Sequence, residues 1–240
     1  MNRDNPGGVT DNAPAARVQA GLTEVRARIA SACQRVGRAR DDVRLIAVSK
    51  RHPPEAIRAA YALGQREFGE NYVQELAAKA KALSDLPELR LRLIGHLQRN
   101  KAKELLRVGA ALHAVDGVDS VRLAEALARE VEAAHRTLEV LVQVNPAGET
   151  QKSGVAEADL PVLVAAIRGM PALSLRGLLL IPPNLDPEQR RPFFRRVREL
   201  ATELSLPELS MGMSDDLEPA IEEGATQVRV GTAIFGERDG

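Results

Sequence analysis

The chain has 240 residues, with 33 lysines and arginines against 33 aspartates and glutamates, four histidines and one cysteine. An even charge balance and a pI near 6.9 give no electrostatic case for a nucleic-acid partner or an anionic membrane surface. A single cysteine excludes an internal disulfide and a cysteine metal cluster. With no membrane-length apolar run and no basic-then-apolar leader, the expected location is the cytoplasm.

Residues 1–16 are polar and read as a disordered extension, with one domain expected over 17–240 and no Pro/Gly/Ser-rich linker to divide it. A helix over 17–36 carries the stripe Val18, Leu22, Val25, Ile29, Cys33 and Val36, which gives Cys33 a packing role. Beyond it, short apolar runs alternate with longer amphipathic segments. Strands are predicted at 43–49, 67–68, 90–94, 111–115, 138–145, 174–181, 208–211 and 227–230. Helices are predicted at 54–63, 73–83, 101–108, 120–134, 157–168, 187–204 and 215–223, with Pro54 before Glu55 as a helix start. This α/β order fits a single-domain (β/α)8 TIM barrel with an extra N-terminal helix. An open doubly wound sheet is the rival, because periodicity does not report whether the first and last strands meet.

Lys50 ends the run Val43-Arg44-Leu45-Ile46-Ala47-Val48-Ser49 and precedes Arg51-His52-Pro53-Pro54. Ligands of such folds sit at the carboxyl ends of the strands, so a buried strand delivers an amine to the mouth. Loss of hydration there lowers an ammonium pKa and frees the lone pair that attacks a carbonyl. The plain alternative is a lysine snorkelling from a strand end. Gly69-Glu70-Asn71-Tyr72 and Gly95-His96-Leu97-Gln98 each follow an apolar run and put Asn71 and His96 on the same rim, although His96 also suits a hydrogen-bonded turn at a helix start. The polar loop 145–154 is either a lid or a solvated connection. His52, His113 and His135 have no partners at metal spacing, and no metal is expected.

The C-terminal part holds two candidate phosphate loops. Leu209-Ser210-Met211-Gly212-Met213-Ser214-Asp215-Asp216 passes from a strand end into a helix start, with Ser214 also readable as an ordinary N-cap. Gln227-Val228-Arg229-Val230 ends in Gly231-Thr232, where a glycine permits close approach and outward amides attract phosphate. Arg229 alternates with Val228 and Val230 and so projects into the barrel, either beneath a ligand or onto a core carboxylate.

Six segments taken together resemble the pyridoxal 5′-phosphate (PLP) homeostasis protein family over about 17–240. They are Ala47-Val48-Ser49-Lys50, Phe68-Gly69-Glu70-Asn71-Tyr72-Val73-Gln74-Glu75, Ile94-Gly95-His96-Leu97-Gln98-Arg99-Asn100-Lys101, Lys152-Ser153-Gly154-Val155, and the two phosphate-loop segments through Asp216 and Gly236. The resemblance implies a single-domain barrel like that of alanine racemase, with Lys50 holding the cofactor as an internal aldimine. It also implies Arg229 against the pyridine nitrogen, Ser210, Ser214, Gly231 and Thr232 on the phosphate, and Asn71 near the ring. Departures are the first fifteen or so residues, Pro146 after Asn145, and Arg92-Leu93-Ile94 in the third strand, where His-Phe-Ile is more usual.

A racemase of this type needs a second acid/base on the ring face opposite the lysine. The sequence stops at Gly240 after the phosphate turn, and its only tyrosines are Tyr61, inside a helix pattern, and Tyr72. A guanidinium beside the pyridine nitrogen opposes ring protonation and weakens the electron sink. The expected function is a PLP carrier or regulator in vitamin B6 homeostasis rather than an enzyme, working as a monomer or weak homodimer. Its expected partners are PLP and PLP-dependent apoenzymes. A weak amino-acid racemase or lyase, and a phosphosugar-binding barrel in which Lys50 pairs with an anion, are the other readings.

Overall fold

The computed structural model describes residues 13–149 and 153–237. Helix α1 (Ala13–Arg35) starts ahead of the expected position 17, and residues 1–12 of the predicted extension lie outside the described residues. The stripe on α1 is buried at Val18, Leu22, Val25, Ile29, Ala32 and Cys33, while Val36 lies past the helix end and is exposed. Burial pushes the Cys33 thiol pKa up, which keeps the sulfur protonated and unreactive.

Strands β1 (Arg44–Val48), β2 (Glu67–Glu70), β3 (Arg90–Leu93), β4 (Leu112–Val118), β5 (Leu138–Val144), β6 (Leu173–Leu180), β7 (Glu208–Ser210) and β8 (Gln227–Val230) run parallel, each paired with the next. β8 returns to β1 in the register Arg44↔Gln227 to Ala47↔Val230. That pairing closes the sheet and decides between the barrel and the open sheet. Around it lie α2 (Pro54–Ala62), α3 (Val73–Ala82), α4 (Ala102–Leu106), α5 (Val121–Ala133), α6 (Leu160–Arg168), α7 (Arg191–Glu203), α8 (Leu217–Glu222) and α9 (Thr232–Phe235). α1 packs against α2, α8 and α9, so it covers the outside of the barrel where the last strand meets the first. No helix among the described residues is long and apolar enough to cross a membrane.

Helix starts follow local chemistry. Proline occupies the first turn of α2, α6 and α7, where its missing N–H is no loss. Ser120 caps α5 by accepting from the Leu123 amide. Three predicted helices begin as 3-10 turns, at Arg99–Lys101, Glu157–Asp159 and Pro187–Arg190, before α4, α6 and α7. α8 begins at Leu217 with Asp216 at the cap position, so Ser214 is not the N-cap that the sequence offered as an alternative.

Alternation along the strands sorts the side chains into two shells. Leu45 and Ala47 of β1, Leu91 and Leu93 of β3, and Val228 and Val230 of β8 join the apolar layer under the helices. Ile46, Arg92, Leu141, Leu179 and Arg229 are buried but occupy the alternate positions, which face the barrel interior. Near the amino ends of the strands that interior is charged. Arg92, fully buried, bonds Asp116 through Nη2 to Oδ1 at 2.9 Å and through Nε to Oδ2 at 2.9 Å, and reaches Glu67 at 3.1 Å. Near the carboxyl ends the interior opens into a cavity.

Candidate functional site at the carboxyl ends of the strands

The cavity has a volume of about 630 Å³, in the range of small-molecule sites. Lys50, Asn71, Ser214, Arg229, Gly231 and Thr232 all contribute to its wall, so the closed barrel gathers six of the seven predicted residues from four separate stretches of chain. Ser210 is not part of the wall. It is fully buried, and its hydroxyl and carbonyl oxygens accept from Arg229 Nη1 at 2.9 and 2.7 Å. His96 lies on the wall too, with Nδ1 3.3 Å from Ser153 Oγ and 3.5 Å from Asp119 Oδ2.

Lys50 stands one residue beyond the Ser49 that follows β1, half-buried, on the turn leading to Pro54. His52 in this turn meets the Phe235 ring of α9 at 5.1 Å between centroids, which ties the lysine loop to the turn after β8. Gly231 brings the two still closer. A Cβ at that position would lie 3.0 Å from the Val48 carbonyl oxygen, tighter than side chains usually pack, so glycine lets the end of β8 run against the end of β1 without either strand giving way. Within α9 the Ile234 and Phe235 amides turn back to Gly231 O. The first amides of that turn, Thr232 and Ala233, have no acceptor inside it.

Arg229 comes up from β8 into the base of the cavity. Nη2 donates to Leu180 O at 2.8 Å, and Nη1 to the two Ser210 oxygens. These are neutral acceptors, and no carboxylate lies within ion-pair distance among the described residues, so the core-carboxylate reading is not the one the structure adopts. Burial lowers the Arg229 pKa to about 10, with Asp116 and Asp216 acting against that shift from farther away. The guanidinium remains a cation at neutral pH.

The loop after β7 is shaped by Asp216, which the sequence offered only as part of a helix start, and by Arg190, to which it gave no role. Asp216, fully buried, accepts from the Met213 amide through Oδ1 and from Arg190 Nη1 through Oδ2 at 2.7 Å. With that carboxylate folded inward, Ser214 is left on the cavity wall. The run Asp215-Asp216 read as a helix start, and nothing in it marked one aspartate as internal.

The connection after β5 folds back on itself. Asn145 N donates to Val155 O, Val155 N to Gln143 O, and Gln143 Nε2 to Ser153 O at 2.8 Å. Ser153 is thereby brought to the cavity beside His96. Thr150, Gln151 and Lys152 of the predicted loop lie outside the described residues. Tyr61 sits on α2, with its hydroxyl accepting from the Glu88 amide and its ring under Arg66. Tyr72 is exposed at the start of α3, and neither tyrosine lines the cavity.

A lysine amine, a buried guanidinium and two hydroxyl-bearing turns around one small cavity suit an anionic molecule with a carbonyl. Comparison with known proteins points the same way. The family model described as alanine racemase, N-terminal domain, matches residues 22–239. A pyridoxal phosphate homeostasis protein of Pseudomonas aeruginosa is 46% identical over 91% of this chain and 94% of its own. A crystal structure of an unknown protein from Bifidobacterium adolescentis superposes with a TM-score of 0.87 at 36% identity, covering 95% of this chain and 98% of that one. PipY of Synechococcus elongatus with PLP bound gives a TM-score of 0.77 at 40% identity, over 88% of this chain and 100% of that one.

Proposed function

Because the chain belongs to the family of the alanine racemase N-terminal domain, together with the pyridoxal phosphate homeostasis proteins, we propose that it binds PLP at the mouth of its barrel. It holds the cofactor on Lys50 and yields it to PLP-dependent apoenzymes in the cytoplasm, without turning over a substrate of its own. One observation carries this reading: among the described residues, the one lysine on the cavity wall, Lys50, shares that wall with the turn at Gly231 and Thr232 and with the buried Arg229.

The residues present fit the group. PLP supplies an aldehyde and an electron-withdrawing ring. Lys50 Nζ supplies the amine that condenses with the aldehyde, with one water released, and it regains its free amine when another amine takes the aldehyde. Ser214, Gly231 and Thr232 would receive the phosphate through hydroxyl and amide hydrogens. Ser210 would act through Arg229, whose guanidinium it helps to fix. Asn71 would border the ring.

Two features support holding over catalysis. A guanidinium cannot take the place of the carboxylate that strengthens a pyridine electron sink. A two-sided proton transfer also needs a second acid/base, and the tyrosines Tyr61 and Tyr72 are both off the wall. The test is the visible absorption of purified protein mixed with PLP. The parent should develop an absorption band that Lys50→Ala lacks, and neither protein should move solvent deuterium onto the α-carbon of L- or D-alanine. An equal band in Lys50→Ala would put the attachment elsewhere, and lysine-dependent deuterium uptake would make the protein an enzyme.

A further inference from the structure

The turn that carries Lys50 is held from outside the cavity. His52 N donates to Ser49 O at 3.0 Å, which closes a four-residue turn with Lys50 second and Arg51 third. Arg51 has φ 63, a left-handed conformation that a type II turn demands at its third place and that residues with a Cβ disfavour. Something must hold a non-glycine residue there.

The holding group is Lys79, on the face of α3 turned toward β2 and 3% exposed. Its Nζ donates to Ser49 O at 2.6 Å, to Glu70 Oε1 at 2.7 Å and to Glu75 Oε1 at 2.7 Å, which uses all three of its hydrogens. Glu70 Oε1 also accepts from Ser49 Oγ at 2.6 Å, and Glu75 Oε1 accepts from the Arg51 amide. The residue before Lys50 and the residue after it are thus bound to one buried ammonium and its two carboxylates. Burial pushes the Glu70 carboxyl pKa up, with Lys79 and Ser49 opposing the shift, so the site is held together against a desolvation penalty. Apolar side chains would fill the gap between a helix and a strand at least as well. What they would not supply is an acceptor for the Arg51 amide or a donor for the Ser49 carbonyl.

We propose that Lys79, Glu70 and Glu75 are positioning residues for Lys50. They fix both flanks of its turn so that the amine enters the cavity already aimed, and the entropy of placing it is met on folding rather than on binding. The proposal rests on the reading that Lys50 takes the aldehyde. Glu75 is the place to test it, because its side chain is partly exposed and, among the described residues, it bonds Arg51 and Lys79.

The experiment uses the full chain with Glu75→Ala and Glu75→Gln. Each protein is mixed with PLP, quenched with borohydride at set times and digested, and the adduct on the Lys50 peptide is followed by mass. Amide hydrogen exchange at Arg51 is measured on the same proteins without PLP. Glu75→Ala should slow attachment about tenfold, the weight of one hydrogen bond to a charged acceptor, and should open the Arg51 amide to exchange. Glu75→Gln keeps an oxygen acceptor and should restore both. Attachment at the parental rate in Glu75→Ala, a glutamine variant as slow as the alanine one, or an unprotected Arg51 amide in the parent would each overturn the proposal. A parent that forms no adduct at Lys50 would sink the functional reading instead, and the exchange arm would then decide the tether by itself.

Discussion

At Gly231 two strand ends come closer than a side chain fits without a backbone shift of a few tenths of an ångström, with the Val48 carbonyl oxygen 3.0 Å from where a Cβ would stand. Gly231→Ala is expected to push β8 away from β1, destabilise the fold by about 1–3 kcal/mol, and weaken PLP retention through the displaced Thr232. Urea unfolding and a PLP titration check the two effects. A variant with parental stability and parental retention would show that the close approach has no consequence. Gly231 was readable in the sequence as a strand-ending glycine, Lys50 as the end of a short continuous apolar run, and Arg229 from its alternation with Val228 and Val230. Ser210 is a different case. Its position next to the phosphate loop was legible, but its engagement with Arg229 depends on β7 lying beside β8, which no local pattern encodes. Lys79 was not legible at all. A lysine within a helix reads as a solvated charge, and its only sign was that it shares a stripe with Val73, Leu76 and Ala80.

Among the elements, the strands the sequence cut short are those with inward or partnered charges. β2 was expected at 67–68 and runs Glu67–Glu70, because Glu70 finds Lys79 and Ser49. β4 was expected to stop at 115 and runs to Val118, through the Asp116 that pairs with Arg92. Hydropathy counts such residues as strand ends, whereas partners distant in sequence keep them in the ladder. Arg92→Met should leave Asp116 buried without its cation and lower stability by about 3–5 kcal/mol in urea unfolding. A change within about 0.5 kcal/mol would mean that the carboxyl simply takes up a proton at little expense. A second element-scale test concerns α1 and α8, joined by Arg28 Nε to Glu218 Oε1 at 2.6 Å. The hydrogen bond from Arg28 holds the Glu218 carboxyl below the usual carboxylate range, against burial. Because its pKa is lowered in the folded state, this pair stabilises the fold above the ordinary glutamate pKa, and the contribution is lost as pH falls through the lowered value. Glu218→Gln should therefore reduce stability at neutral pH and flatten its decline in acid. Parallel acid profiles for the two proteins would contradict that assignment.

For the whole molecule, the order of strands and helices left two architectures open, and only the β8 to β1 pairing separates them. Closure is what makes the site. Lys50 and Gly231 are far apart in the sequence, and they share one cavity because the first strand and the last are neighbours, with α1 packed over the seam. The resemblance to PLP homeostasis proteins, carried by six segments between Ala47 and Gly236, agrees with the match of the alanine racemase N-terminal domain over residues 22–239 and with the Pseudomonas aeruginosa relative. The account turns on a covalent bond between the Lys50 amine and the PLP aldehyde. Borohydride reduction of the protein saturated with PLP, followed by intact mass and peptide mapping, tests that most directly. One reduced adduct per chain, on the peptide containing Lys50, is the expected result. No permanent adduct, or one on a different lysine, would contradict it.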